Sequence, residues 1–244
     1  MVAQPSHKFD PEQFQAELEQ FITTEASLSP TESATFFPVY RELRKKQRNI
    51  FVLIKRYKHA NPTDNKAAAA EAAKHMSELL GGKGTVGMVC HDQTSATGKQ
   101  RCEGFQEWMK ANAPDIKLLE PQYAGEVGQA ANTSKAMITA NSDITGVYGS
   151  NEAAAIGALQ GANESGKKLT VVGFDSGKAQ IDAIKAGTEA GAVTQAPVKM
   201  GYETVIAAIK AANNKELPAT IDSGYSWYDK NNISDPVIAQ NLYE

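Results

Sequence analysis

Apolar residues follow two different rhythms along this 244-residue chain, and the change comes near Pro62. Before it, Phe14, Leu18, Phe21 and Ile22 share one face of a helix predicted over 11–24, with Asp10 as its N-cap and Pro11 at its first helical position. Ser29-Pro30-Thr31-Glu32 repeats the opening signal, because a glutamate three residues after a serine cap can reach back to the cap amide. Phe36, Tyr40, Leu43, Gln47, Ile50, Ile54 and Tyr57 then step by alternating fours and threes. That spacing predicts one face of a long second helix, in which Pro38 should place a kink.

Beyond Pro62, Asp64 caps an alanine-rich helix predicted to run to Leu80 and to stop at Gly81-Gly82. Thr85 to Cys90 is apolar, partly β-branched and too short for a helix, so it reads as a buried strand. A polar loop, His91 to Gly98, leads into a helix carrying Phe105, Trp108 and Met109. The unit repeats, with strands predicted over 116–119, 144–148, 169–174 and 192–194. A loop over 120–128 leads to a helix ending at Ala140, and further helices are predicted over 152–164, 178–185 and 198–213. Regular alternation of this kind implies right-handed crossovers and an α/β fold, a parallel sheet sandwiched by helices. Two domains follow: an all-α N-terminal segment of two helices, 1–61, and an α/β lobe, 62–244.

Composition sharpens the division. Residues 1–61 carry nine Lys/Arg against seven Asp/Glu and no glycine, whereas the remainder carries sixteen against twenty-one and all 19 glycines. The second helix is basic, with Arg41, Arg44, Lys45, Lys46, Arg48, Lys55, Arg56 and Lys58 against Glu42. No helix-turn-helix pattern or base-stacking aromatics accompany the charge, so it reads as a solvated face and no nucleic acid is expected as a partner. The chain has no run of about 18 apolar residues to span a membrane. Its opening MVAQPSHKFD lacks the apolar core of a signal peptide, so a protein acting outside the cytoplasm would be present here in a processed or engineered form. Cys90 and Cys102 are the only cysteines. They read first as free, half-buried thiols, the alternative being one bridge between the strand end and the first turn of the next helix.

The candidate chemistry lies at strand ends. Directly after successive strands come the segment Asp92 to Arg101, then Asn151, Asp175 and Gln195. Parallel strands bring such positions to one rim, where open α/β sheets bind small ligands. Arginine offers a planar donor fork, aspartate accepts twice, and asparagine and glutamine do both, which suits neighbouring hydroxyls that donate and accept together. Each also has a structural alternative: Asn151 or Asp175 as helix caps, Gln195 in a turn, Arg101 paired with Glu103 or Glu107. Catalytic residues, metal ligands and cofactors are assigned to none of the positions. The chain has no nucleophile elbow and no glycine-rich dinucleotide loop; TSATGKQ lacks the leading glycine and the Ser/Thr after Lys99 of a phosphate loop. His91, between Cys90 and Asp92, is the one candidate for nucleophilic chemistry, and a loop histidine is usually structural.

From Thr63-Asp64-Asn65 onward, the segments TSATGKQRCEGF, DITGVYGSNEAAAIGAL, LTVVGFDSGKAQIDAIKAG, AVTQAPVKMGYETVIAAIK and IDSGYSWYDKNNISDP fall in the order and spacing of a known family. Over 62–244 the chain resembles the second lobe of ribose-type periplasmic sugar-binding proteins of ABC importers. The resemblance implies a type I binding-protein lobe, a sugar as ligand, an importer permease as partner and an extracytoplasmic location. It also implies ligand-binding roles for Arg101 in Arg-x-Glu-Gly-Phe, Asn151 in Ser-Asn-Glu, Asp175 in Gly-Phe-Asp and Gln195 before Ala-Pro. Tyr123 is the nearest candidate for the family's loop aromatic. The family's first lobe has no counterpart here; an unrelated, fused helical segment stands in its place. The incomplete site should therefore be weak, and the helix over 198–213, left without its usual neighbour, should have its apolar stripe covered by the 36–57 stripe. Residues 9–58, with Leu28-Ser29-Pro30 and Phe36-Phe37-Pro38-Val39-Tyr40, resemble small helical extracytoplasmic proteins of the Spy-like kind. Three alternatives stand beside sugar binding: an enzyme, the effector domain of a LacI-type regulator, and a helical partner-binding or stress protein that forms a homodimer through its N-terminal helices.

Overall fold

The computed structural model describes residues 11–56, 63–213, 215–218 and 220–243, with side chains of the first stretch described over 13–46. The chain divides into two compact units, Met1–Lys58 with Ala208–Lys215, and His59–Ala207 with Glu216–Glu244. In the first, α1 (Pro11–Glu25) and α2 (Pro30–Arg56) follow one another with a short turn between. The expected capping box forms: the Ser29 amide donates to Glu32 Oε2 at 2.9 Å and the Glu32 amide to Ser29 Oγ at 3.3 Å. The Ser29 hydroxyl, donating to the same carboxylate at 2.6 Å, and then the Ser29 amide hold the Glu32 carboxyl below its usual range. α2 passes through Pro38 as a single element. Arg41 grips the Glu19 carboxylate through two nitrogens, each at 2.6 Å, and joins the two helices. The Asp10 cap and the stripe's last member, Tyr57, lie outside the described residues, as do the side chains of Gln47, Ile50 and Ile54.

The second unit is the α/β lobe. Its elements are α3 (Asn65–Leu79), β1 (Gly84–Cys90), α4 (Ala96–Asn112), β2 (Ile116–Leu118), β3 (Gln122–Tyr123), α5 (Val127–Ala140), β4 (Ile144–Gly149), α6 (Glu152–Glu164), β5 (Thr170–Phe174), α7 (Lys178–Ala186), β6 (Gly191–Gln195), α8 (Pro197–Ala212), β7 (Tyr225–Tyr228) and α9 (Pro236–Ala239). α8 contributes its last residues to the other unit. The strands lie in the order β2-β1-β4-β5-β6-β7, with β3 also pairing to β1.

All pairings are parallel except that of β7, which runs antiparallel along β6. The expectation of a parallel sheet therefore holds for the body and not for this edge. Tyr225–Tyr228 was hidden because four residues fall short of any clear period, and its only sequence signal is aromatic content.

Alternation along the strands builds two large cores, and a third, smaller one gathers Ile181 and Ile184 of α7 with Ala192 and Tyr228. Val86, Met88, Tyr148, Val172 and Phe174 face α3 and α4 with Ala68, Ala72, Met76, Phe105 and Met109. Val89, Val147 and Val171 face the opposite way, with Ala130, Ile138, Ala154 and Ala158 of α5 and α6. Gly157 and Gly161 let α6 approach α5 closely, since a Cβ at either would strike Ala130, Ala131 or Ser134.

Cys90 and Cys102 form a disulfide, and both are buried, which corrects the expectation of free, half-buried thiols. The strand end and the second turn of α4 meet with a Cα separation of 6.1 Å, inside the range a bridge can span.

Candidate functional site

Four strand ends and the start of one helix build the site. α4 opens at Ser95, whose Oγ accepts from the Gly98 amide, and the loop before it is wound around Asp92, which accepts from the amides of Thr94 and Ser95. Hydrogen bonds from the Ser95 side chain, then from these amides and the Thr94 hydroxyl, depress the Asp92 carboxyl and engage it in its own loop. Two turns of helix later, Arg101 points inward and is only 5% exposed. α4 is held at that angle by Phe105, stacked on Tyr148 of β4 at 4.1 Å, and by the neighbouring Cys102 bridge.

The Arg101 guanidinium lies 3.7 Å over the ring of Phe174, a cation–π contact in a desolvated setting. Its Nε donates to Asn65 Oδ1 at 2.8 Å, and its Nη1 donates to the Ser150 carbonyl at 3.0 Å and to Asp175 Oδ2 at 3.3 Å. Asp175, directly after β5, has φ of +77°, a left-handed backbone, and its Oδ2 also faces the Glu152 amide at 3.4 Å. Tyr228 of β7 donates to the Asp175 carbonyl at 2.8 Å and so fixes that turn from behind.

Asn65 Nδ2 donates to the Thr63 carbonyl, and Gln195 Nε2 donates to Thr63 Oγ1 at 3.1 Å. A hydrogen-bonded line therefore runs from Gln195 through Thr63, Asn65 and Arg101 to Asp175. Three of the four candidates, Arg101, Asp175 and Gln195, stand on it. Asn151 is adjacent to the line through Ser150 and Glu152, but its Oδ1 accepts from the Ala154 amide at 2.9 Å, so that oxygen caps α6. Its carboxamide nitrogen remains the group with which it can serve a ligand. Tyr123, in β3, is exposed.

The sequence did not single out Thr63, Asn65, Ser150 or Phe174. Asn65 carried one signal, a polar residue at the head of an alanine-rich helix whose cap position Asp64 already filled. His91 faces Ser150, its Nδ1 lying 2.7 Å from the hydroxyl. Burial, and then the charge of Arg101, holds the imidazole below its ordinary pKa. With Cys90 bridged, no free thiol stands beside His91. Among the described residues no group of three His, Cys, Asp or Glu is placed to hold a metal ion. A depression of about 530 Å³ between α5 and the β2–β3 segment has none of the rim residues in its lining.

The family model for the periplasmic binding protein domain matches residues 55–216. The chain belongs to the periplasmic binding protein domain family. Among curated relatives, the ribose import binding protein of Haemophilus influenzae is 24% identical over 159 residues, 65% of this chain and 54% of that protein. Among solved structures, an ABC transporter solute binding protein from Agrobacterium vitis bound with alpha-D-tagatopyranose is 31% identical, with a TM-score of 0.71 over 75% of this chain and 62% of that one. A protein from Brachyspira murdochii, described as an ABC transporter, LacI family transcriptional regulator, is 35% identical with a TM-score of 0.64, covering 75% of this chain and 66% of its own. This periplasmic binding protein domain spans about half the length of the curated relatives it matches. Other curated relatives are a xylitol-binding protein of Mycolicibacterium smegmatis and a D-allose-binding periplasmic protein of Escherichia coli, so their names, like that of the Haemophilus protein, describe binding proteins.

Proposed function

We propose that the lobe binds a sugar at the rim formed by the carboxyl ends of β4, β5 and β6, as the substrate-binding component of an ABC importer. The observation that carries this is the Arg101–Asp175 pair, seated on Phe174 and continued by Asn65, Thr63 and Gln195. Arg101 Nη2 makes no hydrogen bond among the described residues, so its two N–H groups can meet sugar oxygens while Asp175 accepts from hydroxyls. Sugar faces carry C–H groups that pack on aromatic or apolar surface, and the polar line supplies the orientation.

Only one wall is built by these residues. A micromolar site is worth about 8 kcal/mol, and half its contacts leave about 4 kcal/mol, a millimolar site. An extracytoplasmic location is supported by the buried Cys90–Cys102 bridge, because such bonds persist in oxidising compartments. Calorimetry with a panel of pentoses and hexoses tests the reading. One sugar should bind with millimolar affinity, and Arg101→Ala and Asp175→Asn should each weaken it at least tenfold. A sugar that binds both variants as well as the parent protein overturns the assignment.

A second reading rests on the helical unit. Of the side chains described over 13–46, Phe37 alone is buried, while Phe14, Phe21, Val39 and Leu43 are 51–67% exposed. Over the described side chains of these helices, one buried apolar residue makes no core. Association of the α1–α2 segment with a second copy would supply one, and α1, acidic throughout, is complementary to the basic α2. Leu43→Lys should convert a dimer to a monomer in analytical ultracentrifugation; a parent protein monomeric at high concentration removes this reading.

A further inference from the structure

Behind the rim, on the sheet face turned to α7, two polar side chains are sealed from solvent together. Gln180 lies in the first turn of α7 and is 0% exposed; Glu189, in the turn that enters β6, is 1% exposed. Gln180 Nε2 donates to Glu189 Oε1 at 3.0 Å. The remaining oxygens of the same two groups, Gln180 Oε1 and Glu189 Oε2, are buried without a hydrogen-bond partner among the described residues. An ionised glutamate offers only acceptors, and so does a carboxamide oxygen, so in that state the two orphaned atoms cannot satisfy one another. A single proton resolves both vacant bonds at once. Placed on Oε2, it makes the carboxyl a donor, and an acid facing a carboxamide can then donate once and accept once.

We propose that Glu189 is held in the native protein as the neutral acid, its proton given to Gln180 Oε1, and that this acid–amide pair is a proton-dependent latch tying α7 to the head of β6. Its surroundings agree. Glu152 from α6 and Tyr228 from β7 are the titratable groups that bear on Glu189, and neither is a cation. Burial, with Glu152 adding to it, pushes the Glu189 carboxyl up to about 8, against the pull of Gln180. A buried carboxylate without a positive partner is among the costliest groups a fold can hold. Gly173 of β5 lies directly against both side chains, since a Cβ there would strike Glu189 Oε1 and Gln180 Nε2. The next residue is Phe174, the platform under Arg101, so the latch backs the floor of the rim.

The sign follows from proton counts. Between the ordinary carboxyl value of 4.5 and about 8, the native state keeps a proton that the unfolded chain has lost. The stability that this proton supplies is fully present below 4.5 and is lost as pH rises through about 8. Glu189→Gln is the informative variant, because a carboxamide supplies a permanent N–H donor where the acid supplies a titrating one. Thermal unfolding of the full chain between about pH 5 and 9 should show the parent losing several degrees of Tm as pH rises, while the variant loses markedly less and is the more stable of the two at the alkaline end. Equal slopes in parent and variant overturn the proposal. A second measurement on the parent stands even if the variant folds poorly: at neutral pH the infrared spectrum should contain a protonated-carboxyl band that survives Glu152→Gln. A spectrum with ionised carboxylates alone overturns it too.

Discussion

At the residue scale the rim is held in place before any ligand arrives, with Arg101 Nη2 left for one. Arg101 spends Nε on Asn65 and Nη1 on Ser150 and Asp175, so its planar fork is fixed in direction by three partners from three elements. Preorganisation of this kind lowers the ordering cost of binding, at the expense of a buried network that tolerates no missing member. Asn65→Ala should therefore act twice. It leaves Arg101 Nε buried without an acceptor, which costs about 1–3 kcal/mol, and it frees the guanidinium to swing. Chemical denaturation should register the first effect and sugar calorimetry the second; a variant with unchanged midpoint and unchanged affinity would show that Asn65 is a bystander. Asp175 and Gln195 were legible because each directly follows the clear apolar run of a strand, and Arg101 because its segment does; Asn151, read by the same rule, caps α6 beside the line. Thr63 and Asn65 were not legible, since they reach the rim from the helix that precedes the first strand, and nothing local in sequence announces a contact across the 36 positions between Asn65 and Arg101.

At the scale of elements, the helices and central strands were readable from period and punctuation, and most boundaries agree to within a residue or two. The failures share a cause. β3 and β7, of two and four residues, are too short to carry a period, and they form because a neighbouring strand offers an unpaired edge. The disulfide was equally hidden, because twelve positions of separation say nothing of the direction in which the α4 side chains turn. That bridge bolts the helix carrying Arg101 to the end of β1. On loop-closure grounds its loss should cost about 3 kcal/mol. Urea unfolding with and without reductant measures this, and a Cys90→Ser/Cys102→Ser protein should match the reduced form. An unmoved midpoint would mean that packing alone places α4.

At the scale of the whole molecule, the change of composition at Pro62 pointed to two domains, and the sheet of the α/β half carries a core on each face with a third cluster where α7 meets β6 and β7. The sequence resemblance to ribose-type binding proteins and the match to the periplasmic binding protein domain family concern that half; the helical unit is described by its own caps, its Glu19–Arg41 clamp and its exposed apolar stripe. The clamp holds Glu19 at about 2, which leaves it charged under all ordinary conditions, so acid should not separate the two helices until the pH falls far below the usual carboxylate range.

The left-handed backbone at Asp175 restricts the alphabet available to that position. Glycine, asparagine and aspartate enter such a conformation at little cost, whereas branched or bulky residues do not. Whatever ligand a protein with this turn selects, the group it presents there is confined to a carboxylate, a carboxamide or bare backbone, and variation in specificity has to be written at its neighbours instead.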